Sequence, residues 1–186
     1  IRDCHHEGVD KSLTVHVAAT LISIGIPDTV EYGGWNISCY GYDNGYIDLG
    51  VRGGFGRYPG GDYYYLWSTA DGNILNPVVE DQDNLTAGTY NVIVRDNNHC
   101  IGWDTVTLYQ PDTLLAVTDT IIINPCEGVE KGAIEISVTG GTTPYKYLWE
   151  GQGLDFDTED IHNIPSGLYN LTVTDPNECS YSQMDF

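Results

Sequence analysis

The chain has 186 residues and sets 7 Lys plus Arg against 27 Asp plus Glu, a net charge of −20 at pH 7. That surplus of acid repels polyanions and leaves no electrostatic basis for phosphate contacts, so nucleic acid and anionic membranes are excluded as partners. Its 22 Gly, 14 Tyr and single Met describe short aromatic and β-branched strands joined by glycine-rich turns, hence an all-β chain. No stretch approaches the roughly 18 consecutive apolar residues of a membrane span, so no membrane insertion is expected. Ile1 opens no signal-peptide pattern, and the chain reads as an internal piece of a longer one.

In chain order, Arg2-Asp3-Cys4 resembles Arg95-Asp96…Cys100 further on, and Leu13-Thr14-Val15-His16-Val17 reads as a last strand. Residues 1–20 are therefore expected to be the C-terminal end of a preceding repeat. Leu21-Ile22-Ser23-Ile24 opens a complete repeat over 21–111, and Leu114-Leu115-Ala116-Val117 opens a second over 112–186. Within the first, Ile47, Leu49 and Val51 alternate with Asp48 and Gly50, the period-two pattern of a half-buried strand, and Ile134, Ile136 and Val138 repeat it. Gly53-Gly54, Tyr65-Leu66-Trp67 and Gly88-Thr89-Tyr90-Asn91-Val92-Ile93-Val94 follow. They return as Gly140-Gly141, Tyr147-Leu148-Trp149 and Gly167-Leu168-Tyr169-Asn170-Leu171-Thr172-Val173. The offset is 87 between Cys39 and Cys126, 82 between Trp67 and Trp149, and 79 between Cys100 and Cys179, so it shrinks only in loops.

A period near 80 residues suits an independent sandwich rather than a solenoid turn, which predicts tandem immunoglobulin-like β-sandwich repeats. Trp67 and Trp149 fall where such a sandwich places its core Trp, and Tyr90 and Tyr169 where it places a tyrosine corner. The short linkers Ala18–Thr20 and Gln110–Thr113 favour an extended rod.

Five cysteines occur with no C-x-x-C pair, a spacing that fits disulfides formed outside the cytosol. The cysteines bracket each repeat, so the expected bonds are Cys39–Cys100 and Cys126–Cys179, with Cys4 pairing outside the fragment. Closing loops of 61 and 53 residues would stabilise each small domain by about 4 kcal/mol in the chain-entropy model.

The order Cys…Asp-Asn-Gly-x-Ile-x-Leu…Gly-Gly…Tyr-x-Trp-Ser…Ala-Gly-Thr-Tyr-x-Val-x-Val-x-Asp…Cys…Gln-Pro runs from Cys39 to Pro111 and recurs from Cys126 to Phe186. It resembles the SprB-type repeat of Bacteroidota gliding-motility adhesins. The resemblance implies a long, repetitive, extracellular cell-surface protein exported by type IX secretion, with no catalytic residue. The segments Glu31–Trp35 and Arg57–Asp62 are departures from the pattern. The same phylum attaches O-glycans at Asp-Thr followed by an apolar residue, which makes Thr29, Thr105, Thr113 and Thr120 candidate glycosylation sites.

Little else suggests chemistry. The acidic clusters Glu80–Asp83 and Asp155–Asp160 make Asp81, Asp83, Asp155 and Asp157 candidate calcium ligands, although neither has the EF-hand spacing. The five histidines are scattered without a metal motif, and no G-x-S-x-G elbow or phosphate-cradling loop is present. The leading expectation is a non-enzymatic stalk without a cofactor, whose partners are neighbouring repeats of the same chain or fibre. A glycan-binding module is the second, taking surface polysaccharide on loop aromatics Trp35, Tyr58, Tyr63 and Tyr64, which lack counterparts in the second repeat. A self-assembling filament subunit is the third, one chain's edge strand completing the next.

Overall fold

A computed structural model describes residues 23–28, 31–54, 63–71, 75–122 and 132–186, with the backbone alone for 23–28, 154 and 155. The expected last strand at Leu13–Val17, Cys4, Thr29, Tyr58 and Cys126 lie outside the described residues. Two compact units emerge. One holds β1 (Ser23–Asp28) and residues Asp43–Tyr109, and the other holds Glu31–Tyr42 and Gln110–Phe186.

In the first unit β1 is followed by β2 (Gly45–Arg52), β3 (Tyr64–Thr69), β4 (Gln82–Leu85), β5 (Gly88–Arg95) and β6 (Ile101–Leu108). One sheet has the order β1-β2-β4 and the other β3-β5-β6, with every described pairing antiparallel. This is the partition of an immunoglobulin-like sandwich, in which the first, second and fifth strands face the third, sixth and seventh. Alternation builds the core: Ile47 and Leu49 of β2 and Tyr90, Val92 and Val94 of β5 turn inward and are buried, while Asn91 and Ile93 turn out.

The second unit comprises β7 (Leu115–Ile122), β8 (Gly132–Thr139), β9 (Lys146–Gly151), β10 (Leu154–Phe156), β11 (Ile161–Ile164), β12 (Asn170–Thr174) and β13 (Ser180–Gln183). Its sheets, β11-β8-β7 and β10-β9-β12-β13, repeat the first unit's order with β10 added at an edge. Ile134, Ile136, Trp149, Leu171 and Val173 form its buried centre, and Phe186 meets Trp149 edge to face at 5.1 Å between ring centroids.

Equivalent side chains make equivalent bonds in the two units. The indole N–H of Trp67 donates to the Val79 carbonyl at 3.0 Å, and that of Trp149 to the Thr158 carbonyl at 3.1 Å. The Tyr90 hydroxyl donates to the Thr86 carbonyl at 2.7 Å and the Tyr169 hydroxyl to the Pro165 carbonyl at 3.0 Å, each four residues upstream, as in a tyrosine corner. Tyr63 donates to Gly53 and Tyr145 to Gly140, both at 2.6 Å. Asn84 and Asn163 both adopt positive φ (53° and 57°) beside the register slips of β4 on β2 and β11 on β8, a conformation Asn tolerates better than most residues.

The expected disulfide pairing is corrected. Cys39 bonds Cys179, with Cα atoms 5.6 Å apart, so neither Cys39–Cys100 nor Cys126–Cys179 forms. The reason lies in the excursion Glu31–Tyr42, which sequence order assigns to the first repeat. In the structure this segment packs into the second unit, with Ile37, Ser38 and Cys39 all buried there. Bracketing in sequence therefore misidentified the partner.

Candidate functional site

A tight turn carrying Asp-x-Asn-x-Cys closes the late hairpin of each unit, Asp96 to Cys100 and Asp175 to Cys179. The buried Asp175 carboxylate organises the second. Its Oδ1 accepts the N–H groups of Asn177 at 2.9 Å and Cys179 at 3.0 Å, and its Oδ2 accepts that of Thr142 at 2.9 Å. Asp96 accepts the N–H groups of Asn98 at 2.9 Å and Cys100 at 2.8 Å in the same way. His99 and Glu178, one residue before each Cys, share a positive φ of 68° and 66°. A carboxylate facing several backbone donors is the strongest acceptor available for such a turn.

The second turn holds the excursion. The Asn177 side-chain amide donates to the carbonyls of Tyr32 at 3.3 Å and Ser38 at 3.4 Å and to the Thr142 hydroxyl at 3.1 Å. The excursion is itself pinched where Tyr32 and Trp35 exchange backbone hydrogen bonds of 2.7 and 3.4 Å around Gly33 and Gly34. Farther along, the Gly41 N–H donates to the Gln110 side chain at 2.8 Å. The segment Glu31–Trp35, a departure from the repeat pattern in sequence, thus forms the start of a clamp sealed by Cys39–Cys179. Asp175 is legible in the sequence as part of the repeat pattern, but its role and that of Asn177 are not, although the twice-occurring Asp-x-Asn-x-Cys is a signal for both.

The remaining candidates are placed as follows. Asp81 accepts the Leu49 N–H at 3.0 Å through Oδ1, and Asp160 accepts the Ile136 N–H at 2.9 Å, so each acidic cluster supplies a brace to a core strand. Asp83 and Asp157 are exposed, and the Asp155 side chain is not described. Among the described residues, no three His, Cys, Asp or Glu side chains converge to hold a metal. Thr105, Thr113 and Thr120 are exposed, the Thr105 hydroxyl donating to the Asn91 side chain at 2.8 Å.

Of the four loop aromatics, Tyr58 lies outside the described residues. Trp35 is half-buried in the excursion. Tyr63 has a counterpart in Tyr145 with the same bond, contrary to the expectation that it had none. Tyr64 lies on strand β3 rather than in a loop, its ring under the Arg95 guanidinium at 5.2 Å.

Two tyrosines are shifted upward in parallel. Tyr147 is pushed up to about 12, first by burial and then by the charge of Glu159 and a hydrogen bond to it. Tyr65 is raised for the same reasons, burial first and Glu80 next.

Among the described residues no helix is long and apolar enough to cross a membrane. Residues 124–153 match the family model described as the SprB repeat. No curated protein matches the chain.

Proposed function

With an SprB repeat at residues 124–153 as premise, we propose that this chain is a non-catalytic structural segment of a long extracellular adhesin or surface fibre. The repeat is the observation that carries the reading. A disulfide joining two otherwise buried segments supports it, because such bonds persist in oxidising compartments. Export by type IX secretion and a role in gliding or surface attachment complete the proposal, and neighbouring repeats are the partners. Buried N–H groups satisfied by carboxylates and a covalent clamp suit a module exposed to proteases and shear. The net charge of −20 keeps copies apart in solution. The exposed Thr105, Thr113 and Thr120 are the candidate points of sugar attachment, and hexose adducts in the intact mass of native protein are the expected sign.

Antibody raised against this segment tests the location directly. It should label intact, unpermeabilised cells. Labelling that appears only after permeabilisation would overturn the proposal.

A further inference from the structure

The outward face of β3-β5-β6 carries an apolar patch that its own unit does not cover. Two adjacent cross-strand rows form it: Leu66, Ile93 and Trp103 in one, Tyr64, Arg95 and Ile101 in the next. Trp103 is 74% exposed, Ile101 62%, Leu66 56% and Tyr64 55%. Side chains in such rows are direct neighbours, so the patch is continuous across three strands. Large exposed aromatics gathered on one face are unusual for a soluble domain and mark an interaction surface.

The fold does not require these residues. The equivalent rows of the second unit read Leu148, Thr172 and Ser182, then Lys146, Thr174 and Ser180. Thr172, Ser182 and Ser180 stand where the first unit has Ile93, Trp103 and Ile101, Lys146 stands for Tyr64, and only Leu148 keeps an apolar side chain. The patch is thus an addition to one unit on a scaffold common to both.

Its composition selects the occupant. In a chain with 27 acidic residues, no outward position of β3, β5 or β6 carries a carboxylate, and Arg95 is the single charge among them. The following row is polar, with Asn91 beside Thr105. The exposed Trp103 indole, next to amide, hydroxyl and guanidinium groups, matches a sugar ring, which has an apolar C–H face and a hydroxyl rim. A second copy would bring together two chains of charge −20. The same net charge repels a polyanionic glycan.

We infer that the outer face of β3, β5 and β6 binds a neutral polysaccharide, with Trp103 as the stacking platform. This inference rests on the sheet face alone and does not require the surface location proposed above. Affinity electrophoresis in gels containing hydroxyethyl cellulose, dextran or mannan tests it, with polygalacturonate as the anionic comparator. At least one neutral polymer should slow the chain. Trp103→Ala should weaken that retardation about tenfold at an unchanged melting temperature, and Leu148→Ala should leave it intact. Three results would each overturn the inference: no retardation by any of the three polymers, retardation that Trp103→Ala retains, or a Trp103-dependent dimer in sedimentation, which would assign the face to a second copy.

Discussion

At the scale of single residues, the buried aspartates carry more structural consequence than the acidic loops that first draw the eye. Asp175 accepts three backbone N–H groups, and removing it leaves donors without an acceptor where water has little access. Bonds to a charged acceptor are each worth about 1.5–3 kcal/mol, so Asp175→Ala should destabilise the second unit by about 3 kcal/mol or more in urea denaturation. Tyr65 and Tyr147 make stability depend on alkaline pH. Both phenols are held protonated by burial and by the neighbouring Glu80 and Glu159, so their folded pKa values lie above the ordinary value of 10. A raised folded pKa means that the unfolded chain gives up the proton first. Their contribution to stability is therefore complete below pH 10 and is lost as pH rises toward 12. Melting temperature should be level up to about pH 10 and fall above it. Tyr147→Phe, which has no proton to lose, should flatten part of that decline.

At the scale of elements, alternation made most of the fold legible. Ile47, Leu49, Ile134 and Ile136 are buried as their spacing requires, and Trp67, Trp149, Tyr90 and Tyr169 occupy the positions their motifs indicate. Trp149→Ala should cost the second unit about 4 kcal/mol, the scale of a large core truncation. The glycine pairs were legible as turns, but their packing was not. Gly140 has φ +75°, and a Cβ there would overlap the Thr113 carbonyl, so Gly140→Ala should destabilise by about 2 kcal/mol or more, measured against a neutral surface substitution. What the sequence concealed has a common cause. Strand faces obey a local rule, whereas the destination of the excursion Glu31–Tyr42 depends on contacts with residues about 140 positions away. The Asn177 amide meets the carbonyls of Tyr32 and Ser38 only when the excursion has joined the second unit. The patch on β3, β5 and β6 was hidden differently: its aromatics sit at the outward positions of strands, where composition alone does not separate display from packing.

For the whole molecule, the decisive feature is which cysteines meet. Cys39–Cys179 closes a loop of 140 residues that contains every strand from β2 to β12. In the chain-entropy model such closure contributes about 5 kcal/mol, against about 4 for the shorter loops that sequence order suggested. The covalent consequence is larger still. When the chain is pulled from its two ends, tension passes through the sulfur bridge, and the residues within the loop cannot lengthen whether or not they unfold. Reduction returns them to the force path. At about 3.4 Å per residue, those 140 residues then add about 480 Å of extension.

Single-molecule extension of the chain from its termini, with and without reductant, therefore tests the staple most directly. The Cys39–Cys179 bond predicts that the oxidised chain never releases the loop and that reduction, or Cys179→Ser, adds about 480 Å. Full release from oxidised protein, or an increment matching only the shorter 39–100 or 126–179 loops, would contradict the pairing and with it the view of this segment as a covalently clamped stalk.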